Sequence, residues 1–359
     1  MTARPYPRVS VIMATHNEEK FIERCVLSVL EGTFPHDQLE IVIADGMSTD
    51  RTREIVQRLA RQYPCVRLID NPERIAPIAF NRAIKASRGD TILLLSAHSQ
   101  IDPDFIRIVL DRLEQSGADI AGGVEVALPP NDTLQARIAT AILGSRFGVG
   151  LSFRTRSKEG YVDNVGPTFY RREVFERIGL FDERLVRNQD NELNARLRAA
   201  GGRAWMTVAT RAYYFGRGTI AALLRQNYRN GFYAMLNWRI TPASFSPHHA
   251  VPVLFVFSLL VGALAIIFNN QLARIHASIH DLPGAIYLCV LGLYVLLAAV
   301  SAVGLALRHR CLAMLLTFFA FPLLHLAYGI GTVMGIFRFG LARIRKIEPE
   351  KLQPRPPAT

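Results

Sequence analysis

The feature that most limits how this chain can fold lies in its C-terminal quarter, where Ala250 to Phe337 contain only four charged residues, Arg274, Asp281, Arg308 and Arg310. Three uncharged runs, 250–268, 282–307 and 312–337, follow one another there. As helices rising about 1.5 Å per residue, each can cross roughly 30 Å of hydrocarbon. One such run could be a core helix, but three in succession leave too little polar surface to enclose them. Residues 250–337 are therefore expected to form a membrane domain of about three transmembrane segments. The tail, 338–359, is basic, and Arg338, Arg343, Arg345 and Lys346 form the flank expected on a cytoplasmic side. An odd number of spans would put that tail opposite the N-terminal part. Pro322 in the last run, with His325 after it, offers a kinked or re-entrant segment that brings the tail back.

Residues 1–249 are ordinary mixed sequence. The net charge of +12 is spread along the chain, about +6, +2 and +4 over residues 1–249, 250–337 and 338–359. No basic face with interleaved aromatics stands out, so nucleic acid is not an expected partner, and the charge suits an anionic membrane surface. Cys25, Cys65, Cys289 and Cys311 lack paired spacing, which implies neither a disulfide framework nor a zinc site. The apolar run Val9–Ala14 gives way too soon to His16-Asn17-Glu18-Glu19 for a signal peptide, so the soluble part is expected in a reducing cytoplasm.

That part alternates. Strand-like runs at 9–14, 39–44, 66–69 and 91–95 are separated by helical spacing at 18–30, 52–62 and 77–87, and another helix is expected at 103–115. The pattern predicts an α/β fold with a parallel sheet covered on both faces, whose ligand lies beyond the carboxyl ends of the strands. Three polar clusters fall there: Thr15-His16-Asn17-Glu18, Asp45 to Asp50, and Ser96-Ala97-His98. Asp45 can accept hydrogen bonds from a base or ribose, and Gly46 permits close backbone approach. Asp50 is better placed to cap the helix near Thr52.

These residues resemble the family 2 glycosyltransferases, inverting enzymes of the Rossmann-like GT-A fold that act on nucleotide-diphospho-sugars. Val9–Glu19 looks like their opening strand, Ile41–Thr52 like their Asp-Gly-Ser-x-Asp turn with Met47 inserted, and Asn81–Ser96 like the approach to their metal motif. The strings beginning at Gly166, Ile178 and Gln189 are similar to their acceptor-side segment, and His325 to Gly331 resembles the succinoglycan-type exopolysaccharide enzymes. The resemblance implies a cytoplasmic transferase domain over 1–240 followed by transmembrane helices, in a multi-pass protein of a bacterial inner membrane. It implies donor contacts from Thr15, Asn17, Glu18, Asp45, Asn81, Ser96 and His98, and acceptor contacts from Gly166, Thr168 and Gln189. Asp190 takes the role of catalytic base, with Glu192 as its rival on another helix face.

The metal motif departs from the family. Where the family carries Asp-x-Asp for Mn²⁺ or Mg²⁺, this chain reads Ser96-Ala97-His98, so His98 either ligates a divalent ion or hydrogen-bonds the diphosphate, and imidazole would favour manganese. Asp102 is a substitute ligand or a helix start. A helix over 219–238 carries Arg225, Arg229, Tyr228, Phe232 and Trp238, as an interfacial helix should. Its Gln226 and Arg229 faintly resemble the Gln-x-x-Arg-Trp signature of processive synthases, with Asn230 in place of tryptophan; one sugar is added, not a polymer.

The expected activity is hexose transfer from a nucleotide sugar, a UDP-sugar above all, to a lipid-linked oligosaccharide in exopolysaccharide biosynthesis, with polysaccharide-assembly proteins as partners. A polyprenyl-phosphate glycosyltransferase and a degenerate sugar-nucleotide-binding scaffold are the alternatives.

Overall fold

Val9–Thr15 (β1) is buried along nearly its whole length, as an apolar run between parallel neighbours must be. It pairs in parallel with Leu39–Asp45 (β2) on one side and Thr91–Leu94 (β4) on the other, and β2 pairs in parallel with Val66–Asp70 (β3). The connecting helices are Ile22–Leu30 (α1), Thr52–Gln62 (α2) and Ala76–Ala86 (α3). The computed structural model that these elements come from describes residues 8–150, 154–155, 158–244, 250–272 and 281–340, so the tail from 341 lies outside the described residues. Side chains alternate between the faces. Val11 and Met13 enter a core with Val26, Val29, Val56 and Leu59, while Ile12 faces Ala79 and Ala83 of α3.

The first helix starts later than its apolar spacing predicts. Glu18 and Glu19 give their backbone N–H groups to Thr52 Oγ1 (2.7 Å) and Asp50 Oδ2 (3.1 Å), which binds them into a loop; the helix begins when Ile22 N–H reaches Glu18 O.

Beyond β4 the sheet becomes mixed, with antiparallel pairs beside a parallel β6–β9 pairing, which corrects the simple parallel expectation. Ser99–Ile101 (β5), Phe105–Ser116 (α4), Ile120–Leu128 (β6), Leu134–Leu143 (α5), Arg146–Val149 (α6), Gly160–Val162 (β7), Thr168–Arg171 (β8), Arg172–Ile178 (α7), Gln189–Ala199 (α8) and Ala204–Phe215 (β9) complete the soluble part. The sheet runs β3-β2-β1-β4-β8-β6-β9-β5, and β7 also pairs with β9. β8 lies antiparallel between β4 and β6, and β5 lies antiparallel to β9. Leu193 and Leu197 of α8 pack under the same face as Ile12.

Four long helices follow: Ile220–Ile240 (α9), Ala250–Leu272 (α10), Asp281–Arg308 (α11) and Thr317–Gly335 (α12), the last continued by a wider turn at Ile336–Gly340. Within the described residues, Tyr287–Arg308 and Leu312–Gly340 are long and apolar enough to cross a membrane, and Ala250–Gly262 is a shorter apolar stretch. Pro322 lies inside α12.

α9 and α12 run side by side in the same direction. Tyr228 meets Gly331, Phe232 meets Gly335, and Arg239 donates to the carbonyl of Phe339. Both ends of α12 also touch the soluble part: Phe321 and the preceding Met314 pack with Ile138 and Ile142 of α5, and Phe339 packs with Leu185. Between these, His325 bonds Tyr294 Oη (2.9 Å) and the carbonyl of Phe147 (3.0 Å), tying α11 and α12 to α6.

The close approach depends on missing side chains. A Cβ at Gly231 would strike the carbonyl of Tyr328, and one at Gly331 that of Tyr228, whereas a Cβ at Gly292 in α11 would meet nothing. Gly331→Val is therefore expected to cost about 1–3 kcal/mol through overpacking and to open the α9–α12 seam to proteolysis, while Gly292→Val leaves both unchanged. Thermal midpoints and limited proteolysis in detergent check this, and equal midpoints for the two variants would refute it.

Candidate active site

The parallel register lines up the carboxyl ends of three strands, pairing Thr15 with Asp45 and Asp45 with Asp70. Two carboxylates thus stand side by side, and Arg53 from the first turn of α2 bridges them at 2.8 Å each. Asp45 is fully buried. It accepts from Thr15 Oγ1 (3.1 Å), the Ser48 backbone N–H (2.9 Å), the Ser48 hydroxyl and Arg53. Burial would raise its pKa, but the bonds from Ser48, Arg53 and Thr15 outweigh it and hold the carboxyl below its usual range. In this arrangement Thr15 and Asp45 brace the loop with acceptors already filled. Asp50 holds the backbone N–H of Thr52 at 3.0 Å, the helix-start role expected of it.

Asn17 joins the first two loops. Its side-chain oxygen accepts from Thr49 N–H (2.8 Å) and its own N–H reaches Ser48 Oγ (2.9 Å). Gly46 approaches Thr15 closely, its N–H donating to that carbonyl at 2.7 Å, but the left-handed residue of the turn is the inserted Met47, with φ 56°.

His98, after β4, stands against Glu18, with Nδ1 3.0 Å from Oε1 and both side chains partly exposed. Ser96 Oγ lies 3.2 Å from His98 Nε2. Sequence reasoning treated Glu18 and His98 as separate donor contacts, and the fold makes them a pair. On the other side Tyr214 of β9 meets the imidazole edge-on at 5.0 Å between centroids, and Arg154 lies over the same tyrosine ring at 5.1 Å while pairing with the buried Glu125. Asp102 is at the far end of β5, accepting the N–H of Arg211, and is not part of this group.

Among the described residues no three metal-ligating side chains cluster. The donor chemistry of His98 and Glu18, one imidazole nitrogen and one carboxylate oxygen side by side, would suit a divalent ion as a two-ligand set. An imidazole beside a carboxylate suits manganese better than magnesium.

The acceptor-side residues divide. Asp190 is exposed in the first turn of α8, and among the described residues nothing donates a hydrogen bond to its carboxylate. Glu192 turns the other way, 1% exposed, with Arg196 on both oxygens and Thr241 Oγ1 at 2.8 Å. Gln189 begins α8 half-buried, and Gln226 accepts from Arg217 Nε at 2.7 Å on α9, near Arg229. Gly166 precedes a cis proline.

Two of the expected contact residues are engaged by the protein itself. Thr168 is buried in β8 with its hydroxyl on the carbonyl of Val165 (2.9 Å). Asn81 spends its amide on Phe181 and Glu183, donating to the carbonyl of one and the carboxylate of the other and accepting the N–H of Phe181. Both side chains tie elements together, because buried amides and hydroxyls take protein partners where they are available.

Arg187, which no sequence motif marked, joins the two halves. Its Nε donates to Asn230 of α9. Burial and the neighbouring guanidiniums of Arg229 and Arg217 push its pKa down to about 10, against the opposing influence of Tyr214 and Asp190. Asp190 and the ring beside His98 thus share one arginine as neighbour. Arg53 and Tyr214 were also missed. An arginine in a first helical turn, or an aromatic in a strand, carries no signal until its distant partners are known.

The model of glycosyl transferase family 2 matches residues 10–179, the stretch from β1 through α7. The succinoglycan biosynthesis protein ExoA of Rhizobium meliloti (strain 1021) is 32% identical over 269 residues, 72% of this chain and 78% of that protein. A Methanococcus voltae enzyme named dolichyl N-acetyl-alpha-D-glucosaminyl phosphate 3-beta-D-2,3-diacetamido-2,3-dideoxy-beta-D-glucuronosyltransferase is 27% identical over 275 residues, 75% of this chain and 84% of that protein. In fold, the chain is similar to a Pyrobaculum calidifontis mannosyltransferase solved with GDP-Man and Mn²⁺, with TM-score 0.56 and 18% identity over 93% of this chain and 88% of that one.

Because the folded pKa of Asp45 is depressed, the stability it adds is present above about pH 4, where the unfolded carboxyl is ionised, and is lost as pH falls through the folded value. Asp45→Asn is expected to cost about 1–3 kcal/mol at neutral pH, with the gap to wild type closing below about pH 4. Denaturation midpoints across that range are the measurement; a gap independent of pH would overturn the assignment.

Proposed function

The chain belongs to glycosyl transferase family 2, and we propose that it moves a hexose, with inversion, from a UDP-sugar to a lipid-linked oligosaccharide during exopolysaccharide assembly. It is a glycosyltransferase. The observation that carries the finer reading is Asp190, an exposed carboxylate with no hydrogen-bond donor among the described residues. It stands near Arg187, whose other neighbour is the tyrosine against His98. Asp190 would take the proton of the acceptor hydroxyl as that oxygen attacks the anomeric carbon, and the nucleoside diphosphate would leave from the opposite face. No covalent enzyme intermediate is needed.

Thr15, Asn17 and Asp45 would shape the nucleotide end through their loops, and Gln189, Gln226 and Arg229 would line the acceptor side. His98 and Glu18 would hold a divalent ion, whose chemistry is to neutralise the charge developing on the leaving diphosphate. That the P. calidifontis protein of similar fold was solved with Mn²⁺ agrees with this choice. The names of the two relatives, one for succinoglycan and one for a dolichyl-linked sugar phosphate, support a lipid-linked glycan acceptor.

The membrane reading changes in one respect. Among the described residues α11 and α12 are long and apolar enough to cross and α10 has a shorter apolar stretch, so the crossing pair would be α11 and α12. Two crossings would return the chain to its starting side, which suits the basic flank beginning at Arg338 and supports a catalytic part on the cytoplasmic face.

Asp190→Asn is expected to lower the transfer rate by about 10²–10⁴ with donor affinity nearly intact. Initial rates in purified membranes with UDP-sugar and lipid-linked acceptor test this; near-normal turnover would move the base elsewhere. After chelation, Mn²⁺ should restore more activity than Mg²⁺. His98→Ala should lose more than Ser96→Ala, because a serine hydroxyl is a weak ligand, and His98→Asp should recover part of the Mg²⁺ rate. Full activity in excess chelator would remove the ion from the mechanism.

A further inference from the structure

Three arginines are brought together on the face of α9 turned toward the transferase domain. Arg187, in the loop before α8, donates from Nε to Asn230, and Arg217, after β9, donates from Nε to Gln226 at 2.7 Å. Gln226, Arg229 and Asn230 are three and four residues apart on α9, hence neighbours on one helical face. The two hydrogen bonds therefore set the guanidiniums of Arg187 and Arg217 around that of Arg229, although the three come from separate parts of the chain. Among the described residues none of them forms an ion pair, whereas about half of the other arginines of this domain, such as Arg53, Arg154 and Arg196, have a carboxylate. Beyond the Nε bonds, the forked ends of Arg187 and Arg217 make no other hydrogen bond among the described residues.

We infer that Arg187, Arg217 and Arg229 form a binding site for a phosphate or diphosphate group. Clustered like charges in a half-buried place raise the free energy of the empty site, and an anion relieves it. Guanidinium forks match phosphate oxygens in pairs, so three of them can surround a diphosphate without a bound cation. Burial, and after it the guanidiniums of Arg229 and Arg217, depress the pKa of Arg187, in keeping with positive charge held close together there. Arg187 stands near both Asp190 and the tyrosine against His98, so the site's anion comes either from the nucleotide donor or from the phosphate of a lipid-linked acceptor. Only that choice of source rests on the transferase reading.

The test uses the full-length protein in detergent and reads binding, so it stands apart from whether the hexosyl reading holds. Wild type, Arg187→Gln, Arg187→Lys, Arg217→Gln and Arg61→Gln are titrated calorimetrically with inorganic pyrophosphate and UDP. Their retention of a polyprenyl phosphate in mixed micelles is measured separately. Arg187→Gln and Arg217→Gln are expected to weaken at least one anion by about tenfold or more, Arg187→Lys to recover only part because it lacks the fork, and Arg61→Gln, exposed on α2, to bind as wild type does. Loss of pyrophosphate and UDP assigns the site to the donor; loss of polyprenyl phosphate alone assigns it to the acceptor. If Arg187→Gln does not fold, judged by its thermal midpoint, Arg217→Gln decides the question. Wild-type affinity for every probe in the folded glutamine variants overturns the proposal.

Discussion

Asp45 and Asp70 stand next to each other because β2 and β3 are parallel and in register, and the buried Asp45 needs compensating charge there, since a carboxylate out of water and beside a second one is costly. Arg53 resolves the conflict by bridging them. Much of the nucleotide-side geometry follows from that. Arg53 fixes the start of α2; Asp50 and Thr52 at that start hold the N–H groups of Glu19 and Glu18, and Glu18 is then presented to His98. A charge balance at the sheet edge thus reaches the altered metal motif through a short series of backbone bonds. The bonds to Asp45 are charge-assisted and buried, so each is worth more than a surface ion pair of similar length.

α9 is the second organising element, and it has two unlike faces. One is pressed against α12 through Gly231, Gly331 and Gly335, where backbone meets backbone with no side chain between. The other carries Gln226, Arg229 and Asn230 toward the transferase domain. Close packing on the first face sets the position of the second, so the apolar C-terminal helices are mechanically continuous with the site. The bond from His325 to the carbonyl of Phe147 adds a second tie, from the apolar helices to α6.

The replacement of a carboxylate motif by Ser96-Ala97-His98 is less of a loss than it looks in one dimension. Glu18 brings back one carboxylate from a different strand end, and three guanidiniums gather nearby. Positive charge for a diphosphate is thus available from protein groups and from any ion held by the His98–Glu18 pair. These sources are complementary, since an ion and a guanidinium stabilise different oxygens of the same group.

The sequence by itself determined the alternation of β1 to β4 with their helices and the apolar character of residues 250–337. Both are periodic or compositional patterns that a local window contains. It also determined the carboxyl-end location of Thr15, Asp45 and His98, because in a parallel α/β unit the loop after each strand falls on one edge. Tertiary structure decided the rest. β5 and β7 are three residues each, too short to show a period, and the antiparallel placement of β8 depends on partners distant in the chain. The roles of Asn81 and Thr168 were set by the buried partners they met, and that of Arg187 by Asn230 on another element. The apolar run at 312–337 was legible as apolar, but its position along α9 was not, because that depends on glycines facing each other across two helices nearly a hundred residues apart.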